Sequence, residues 1–405
     1  MTLPVHSAVD RLTRGQREGI DSIVAEAVPS IAPAVALSVW RSGGCWLDLQ
    51  AGWVDPETRT LPASAATRFD LASLTKLFTA TAILRLASDG RVGLDSTVTS
   101  VVPEFAANSP RGVDGGQEPL TRHTIRVPKG RAEWTVDPAV VTFRQLLTHT
   151  SGMAPWRAVF RETGPVPTAP GQPDPATVEE RWAVGLEAVF DYPFVARPGE
   201  ESHYSDLGFM TLAEAVGRLT RTTFDEALRV LVLDRLALGS VTFSPARAGV
   251  RMEQIAPTSI DLDWRLRRCH GEVEDENAAG LGGVAGHAGL FATAEDVARF
   301  GVAWMRQDPR LRLNKMVWTE AIRDQTAGKG SSRGLGWQTQ PTDHLAPFGP
   351  HAYGHTGFTG TSLAIDPDRD LVVALLTNRV YAGRSHEGIE DLRLELHRVL
   401  AKAFG

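Results

Sequence analysis

Phe69-Asp-Leu-Ala-Ser-Leu-Thr-Lys76 leads straight into an apolar run, Leu77 to Leu86. The spacing predicts a helix over 74–88 with Ser73 and Lys76 at i and i+3 on one face of its first turns, so that their side chains can meet. An alcohol is a poor nucleophile near pH 7 and needs a neighbouring base. Lysine can act as one only where burial or nearby positive charge lowers its pKa, and arginine cannot act as one at all. A helix N-terminus also places the backbone N–H of Ser73 where it can stabilise an oxyanion. Lysine is an exception in this chain: of 42 Lys and Arg residues only five are lysines, Lys76, Lys129, Lys315, Lys329 and Lys402. Taken alone, Ser-x-x-Lys fits a serine helix cap followed by a surface lysine equally well.

Two further segments change that balance. Tyr204-Ser-Asp206 stands between Arg197-Pro-Gly-Glu200 and a helical run from Leu207. A tyrosine hydroxyl bonded to Ser73 and Lys76 could relay a proton to a leaving group, whereas the plainer role is packing at a loop-to-helix junction. Tyr353-Gly-His-Thr-Gly-Phe-Thr-Gly360 is a glycine-punctuated stretch at the start of the last strand pair. Glycines there allow close approach of backbone to a ligand, or simply a tight strand entry.

The surrounding chain reads as an α/β (α+β) fold. Val9, Leu12, Ile20, Ile23, Val24 and Ala27 predict an amphipathic helix over 8–28. Segments 34–40 and 45–54 predict a hairpin, 361–366 and 370–377 a second strand pair joined at Asp366-Pro-Asp-Arg369, and 387–402 a closing helix. The chain ends, 1–70 and 290–405, are thus expected to share one antiparallel sheet flanked by N- and C-terminal helices. Residues 71–289 are expected to form an inserted, mainly helical region, with the site at the junction. Helical patterns fall at 74–88, 142–148, 178–190, 207–219, 224–235 and 294–306, separated by Gly/Pro-rich loops at 107–130 and 164–175. The first of these loops is expected to be exposed, and its length also suits a lid. No internal repeat is detectable.

Composition narrows the function. With 405 residues and 42% hydrophobic content the chain can bury a sizeable core, as one large or two intergrown domains. A net charge of -6 disfavours an electrostatic grip on nucleic acid. No stretch approaches the ~20 apolar residues of a membrane helix. The first residues lack the basic start, apolar core and cleavage site of a signal peptide, so a cytoplasmic location is expected. Cys45 and Cys269 make neither a disulfide framework nor a metal motif, and neither metal nor cofactor is expected.

Ser73-Leu-Thr-Lys76, Tyr204-Ser-Asp206 and His355-Thr-Gly357, in this order, resemble the three active-site motifs of the class C β-lactamase family. This is the penicillin-binding-protein-like group that includes D-Ala-D-Ala carboxypeptidases, esterases and acyltransferases. The likeness spans roughly residues 30–400, with support from Leu146-Leu-Thr-His-Thr-Ser-Gly152, Gly282-Gly-Val-Ala-Gly-His-Ala-Gly-Leu290 and Gly334-Leu-Gly-Trp337. His149, His287 and Trp337 in these segments are read as scaffold. The resemblance implies Ser73 as the acylated nucleophile, Lys76 as its base and Tyr204 as partner or substitute in proton transfer. It implies the N–H groups of Ser73 and Phe358 as the oxyanion hole, with His355, Thr356, Gly357 and Asp206 against the substrate.

Two positions depart from the lactamase pattern. His355 replaces a lysine, which should weaken recognition of a substrate carboxylate. Asp206 replaces an asparagine and, if ionised beside Lys76, would hold that lysine protonated and favour Tyr204 as base. The expected activity is hydrolysis of an ester or amide through acyl-Ser73. The alternative is an ATP-independent acyltransferase of natural-product biosynthesis that passes the same acyl group to an amine or alcohol. The expected partners are small molecules, an acyl donor and such an acceptor, with no nucleic acid or membrane. A β-lactamase or carboxypeptidase fits less well, because their substrates lie outside the cytoplasm. A silent binding protein fits poorly with Ser73, Lys76 and Tyr204 all retained.

Overall fold

The computed structural model describes residues 3–384 and 387–404. Among these, seven strands form one antiparallel sheet: β1 (Val5–Asp10), β2 (Ala34–Arg41), β3 (Gly44–Gly52), β4 (Gln338–Thr339), β5 (Tyr353–Thr356), β6 (Ser362–Asp366) and β7 (Leu371–Thr377). Their order is β1-β3-β2-β7-β6-β5-β4. The β2–β7 pairing, with Leu37 opposite Leu375, joins the two ends of the chain. The helices that build the core and site are α1 (Arg14–Ala27), α2 (Thr75–Ser88), α3 (Phe143–Leu147), α4 (Val178–Asp191), α5 (Asp206–Thr220), α6 (Ala294–Met305) and α7 (Ile389–Ala403).

Successive side chains of a strand point to opposite faces. In β7, Leu371, Val373 and Leu375 face the core under α1 and α7, while Val372, Ala374 and Leu376 join the larger core shared with α2, α5 and α6. Both faces are covered, which is why Leu371-Val-Val-Ala-Leu-Leu376 is apolar throughout and lacks polar alternation. Helix α6 lies close on the sheet at Gly301, where a Cβ would meet Val372 Cγ1 at 2.7 Å and Leu363 Cδ1 at 2.9 Å. Helices α1, α3 and α4 each begin with a reciprocal capping box, Thr13/Gln16, Thr142/Gln145 and Thr177/Glu180. These Thr-x-x-Gln/Glu patterns satisfy N–H groups that a helix start leaves unpaired.

Several expected boundaries shift. Helix α1 begins at Arg14, because Val5–Asp10 pairs with β3 as an edge strand. That strand is largely exposed and lacks a strong apolar face, so periodicity did not reveal it. Tyr353–Thr356 is a strand in its own right, which makes the C-terminal sheet segment a meander of four strands, not two. The 224–235 segment is helical but passes through a π-turn at Arg229–Leu233. Cys45 and Cys269 are unpaired. No helix of the described residues is long and apolar enough to cross a membrane.

Candidate active site

Ser73 lies in a 3₁₀ turn, Ala72–Leu74, immediately before α2, and not in the first turn of the α-helix itself. Ala72 adopts φ +46, a left-handed conformation that costs a non-glycine residue roughly 1–3 kcal/mol and persists only where its surroundings enforce it. Four contacts enforce it here. Asp70 accepts from the N–H of Ala72 at 2.9 Å and of Glu274 at 2.7 Å. Thr359 donates to the Asp70 carbonyl at 2.7 Å and Thr361 to the Leu71 carbonyl at 3.0 Å. Burial pushes the Asp70 carboxyl up to about 7, although both N–H groups favour its charged form. Gly357 packs on the same turn: a Cβ there would meet Leu71 O at 2.6 Å and Thr361 Oγ1 at 2.1 Å, so this glycine serves the seating of the strand on the nucleophile turn.

Lys76 is fully buried and its ammonium has three partners. It donates to Ser73 Oγ at 2.9 Å and to the His287 carbonyl at 3.0 Å, and lies 2.7 Å from Asp206 Oδ1. Burial disfavours its charge, but Asp206 and the adjacent Tyr204 outweigh burial and raise Lys76 above the ordinary lysine value. As an ammonium it has no lone pair with which to take the Ser73 proton. Asp206, expected to face substrate, is therefore first of all the counter-ion of Lys76.

Tyr204 precedes the α5 N-cap, Ser205, whose hydroxyl accepts from the Gly208 N–H and donates to Ala154 O. His149 Nδ1 accepts from the Ser205 N–H at 2.9 Å, and its ring lies 4.5 Å from the Tyr204 ring. Burial and the charges of Arg333 and Lys76 hold His149 well below the usual imidazole range, so it is neutral packing that fixes Tyr204. Two cations flank the tyrosine ring: Lys76 Nζ and the Arg333 guanidinium are each 4.8 Å from its centroid. The Tyr204 hydroxyl is buried beside the Lys76 ammonium.

On the strand side, His355 donates from Nδ1 to the Thr356 carbonyl at 2.7 Å. Burial, then Arg333 and Lys76, keeps it well below the usual imidazole range, so it carries no charge at neutral pH. Phe358 follows Gly357 at the strand end, and Arg379 donates to its carbonyl, fixing the orientation of that peptide. Ser73, Tyr204, Asp206, His355, Thr356, Gly357 and Phe358 all line one cavity of about 520 Å³. Lys76 lies beneath its floor. Trp337 is wholly buried in the core, 4.9 Å from Trp304 and 5.0 Å from Tyr353, and does not line the cavity.

Three features escaped sequence reasoning. Arg333, just before Gly334-Leu-Gly-Trp337, lines the cavity with Nε and Nη1 buried and without hydrogen-bond partners among the described residues. Its charge stands near the place where His355 has replaced a lysine. His287, read as scaffold, serves through an atom that the sequence did not single out, its carbonyl, which holds Lys76 while its Nε2 contacts Asp275 Oδ1 at 2.9 Å. Glu274 and Glu276 form a further part of the wall, both paired with Arg384. Asp206, Asp275 and His287 offer ligand atoms within 4.8 Å of one another, but the Lys76 ammonium already supplies positive charge there and would repel a metal ion.

Asp206→Asn tests this electrostatic arrangement. Without the counter-charge, burial governs Lys76 and its pKa falls, so the free amine appears at lower pH. Since Lys76 acts as an ammonium, the falling limb of the kcat/KM profile, where its charge is lost, is expected to move to lower pH by about one unit or more. An unmoved profile would show that Asp206 does not set the charge of Lys76.

A helix-covered antiparallel sheet beside a cavity-lining serine paired with a buried lysine defines the class, and the chain belongs to the β-lactamase family, whose model matches residues 20–398. Among its relatives, a protein of Escherichia coli (strain K12) bearing the name D-alanyl-D-alanine carboxypeptidase is 28% identical over 348 residues, 79% of this chain and 71% of that protein. A penicillin-binding protein homologue from Caulobacter crescentus superimposes with TM-score 0.69 at 19% identity over the whole of both chains. Simvastatin synthase from Aspergillus terreus gives TM-score 0.69 at 18% identity over 95% of this chain and 98% of its own. A hydrolase with promiscuous acyltransferase activity gives 0.68 at 19% over 94% and 99%. At these identities the structural likeness concerns the fold.

Proposed function

We propose that this chain is a serine acyl hydrolase that cleaves an ester, or an amide, through an acyl-Ser73 intermediate. The observation that carries this reading is the 2.9 Å contact between Ser73 Oγ and the buried Lys76 Nζ under an accessible cavity. Ser73 Oγ attacks the carbonyl carbon as its proton passes to the phenolate form of Tyr204, whose negative charge the Lys76 ammonium supports and which becomes the neutral phenol. Tyr204 returns the proton to the leaving alcohol or amine as the carbonyl–heteroatom bond breaks. The N–H groups of Ser73 and Phe358 receive the oxyanion. Water, deprotonated by the same group, then releases the acid and restores Ser73.

One observation favours acyl transfer as a second reading. Arg333 and Gln338 present unpartnered buried polar atoms in the cavity wall, a setting for a polar acceptor in place of water. The neighbour described as a hydrolase with promiscuous acyltransferase activity shares this fold. A neutral His355 argues less for the peptide chemistry named in the Escherichia coli relative.

Purified protein incubated with p-nitrophenyl acetate and butyrate is expected to release the chromophore and gain an acyl mass. Faster release together with acylated product in the presence of amines or alcohols would favour the transferase. Absence of both signals, repeated with thioester, D-alanyl and β-lactam donors, would overturn the enzyme reading.

A further inference from the structure

The loop within 107–130 ends in the cavity. A tight turn, with Gln117 bridged to Thr124, carries Pro119 and Leu120, and both line the site. Leu120 is 46% exposed and lines this cavity together with Trp156, Pro155, Phe358 and Ile389. Single exposed leucines are common on protein surfaces. This one is held in place by polar contacts. Arg122 pairs with Glu276 at 2.8 Å and Asp263 at 3.1 Å, and its guanidinium lies 5.3 Å from the centre of the Phe160 ring. Gln117 Oε1 accepts from the Ala158 N–H at 3.2 Å, and its amide donates to the Arg122 carbonyl at 2.8 Å. Glu276 adjoins Asp275, the partner of His287, so the loop is tied to the same wall that holds Lys76.

We infer that Leu120, with Pro119 and Trp156, forms an apolar subsite for the acyl chain of the substrate, and that Arg122 holds it in place. The inference rests on the acyl-hydrolase reading for the identity of the chain bound. The leaving group must stand by Tyr204, whose neighbours Arg333 and His355 are polar. The acyl substituent departs from the same carbonyl carbon in another direction and meets the apolar residues. The preferred donors are then esters of medium-length aliphatic or aromatic acids. Each methylene taken out of water adds about fourfold to kcat/KM.

The test compares p-nitrophenyl octanoate with acetate. Wild type favours octanoate, and both Leu120→Asp and Arg122→Gln lower the octanoate-to-acetate ratio of kcat/KM by about tenfold or more, the effect of fewer than two methylenes. A damaged fold would lower both rates together, whereas an unchanged ratio in both variants with acetate turnover retained overturns the subsite. Calorimetric binding of octanamide to Ser73→Ala, with and without Leu120→Asp, reads the subsite without turnover. Equal affinity overturns it, and weaker binding in the double variant supports it. A wild type that hydrolyses no ester yet binds octanamide through Leu120 would sink the hydrolase reading and leave the subsite standing.

Discussion

Ser73→Ala is expected to gain no acyl mass from p-nitrophenyl butyrate and to lose turnover by a factor on the order of 10⁶, the scale seen when a serine nucleophile is removed. The fold should hold. The substitution removes one oxygen whose partner, Lys76, keeps Asp206 and the His287 carbonyl. The turn around position 73 is fixed by Asp70, Thr359 and Thr361, none of which touches that oxygen. Thermal melting unchanged beside lost acylation therefore isolates chemistry from structure. Activity surviving in this variant would end the assignment of Ser73.

Lys76→Ala carries the second large effect, in two readouts. Acylation should fall by about 10²–10⁴, the range of general-base losses, because Tyr204 loses the charge that supports its phenolate. Stability should fall as well, on the order of 3 kcal/mol, because removal of one member of a buried ion pair strands the other. The stranded group is Asp206, whose side chain is only 17% exposed. Tyr204→Phe should cost a similar factor in acylation with little loss of stability, since the ring packing against His149 is retained. Burst kinetics and melting curves on both variants separate the roles. A normal acylation rate in either one would show that the proton travels elsewhere.

Much of the site could be read from local sequence. Ser73 and Lys76 meet because three residues of a helical start bring side chains together. Tyr204-Ser-Asp206 sits at a helix start that Ser205 caps, and the His355-Thr-Gly357 strand lies against the nucleophile turn. Arg333 was not legible: an arginine before a glycine pair has no periodicity or spacing that distinguishes it from the 36 others, and its missing partner exists only in three dimensions. Leu120 was hidden for the same reason, within a loop rich in charge and glycine.

By itself, the sequence determined the composition of the sheet's apolar strands, the capped helix starts and the order of the three motifs, because these depend on periods of two and 3.6 residues and on short-range contacts. Only the tertiary structure decided the charge of Lys76. Asp206 and His287 reach it from 130 and 211 residues away, and the balance between desolvation and a carboxylate at 2.7 Å exists only once the chain has excluded water from between them.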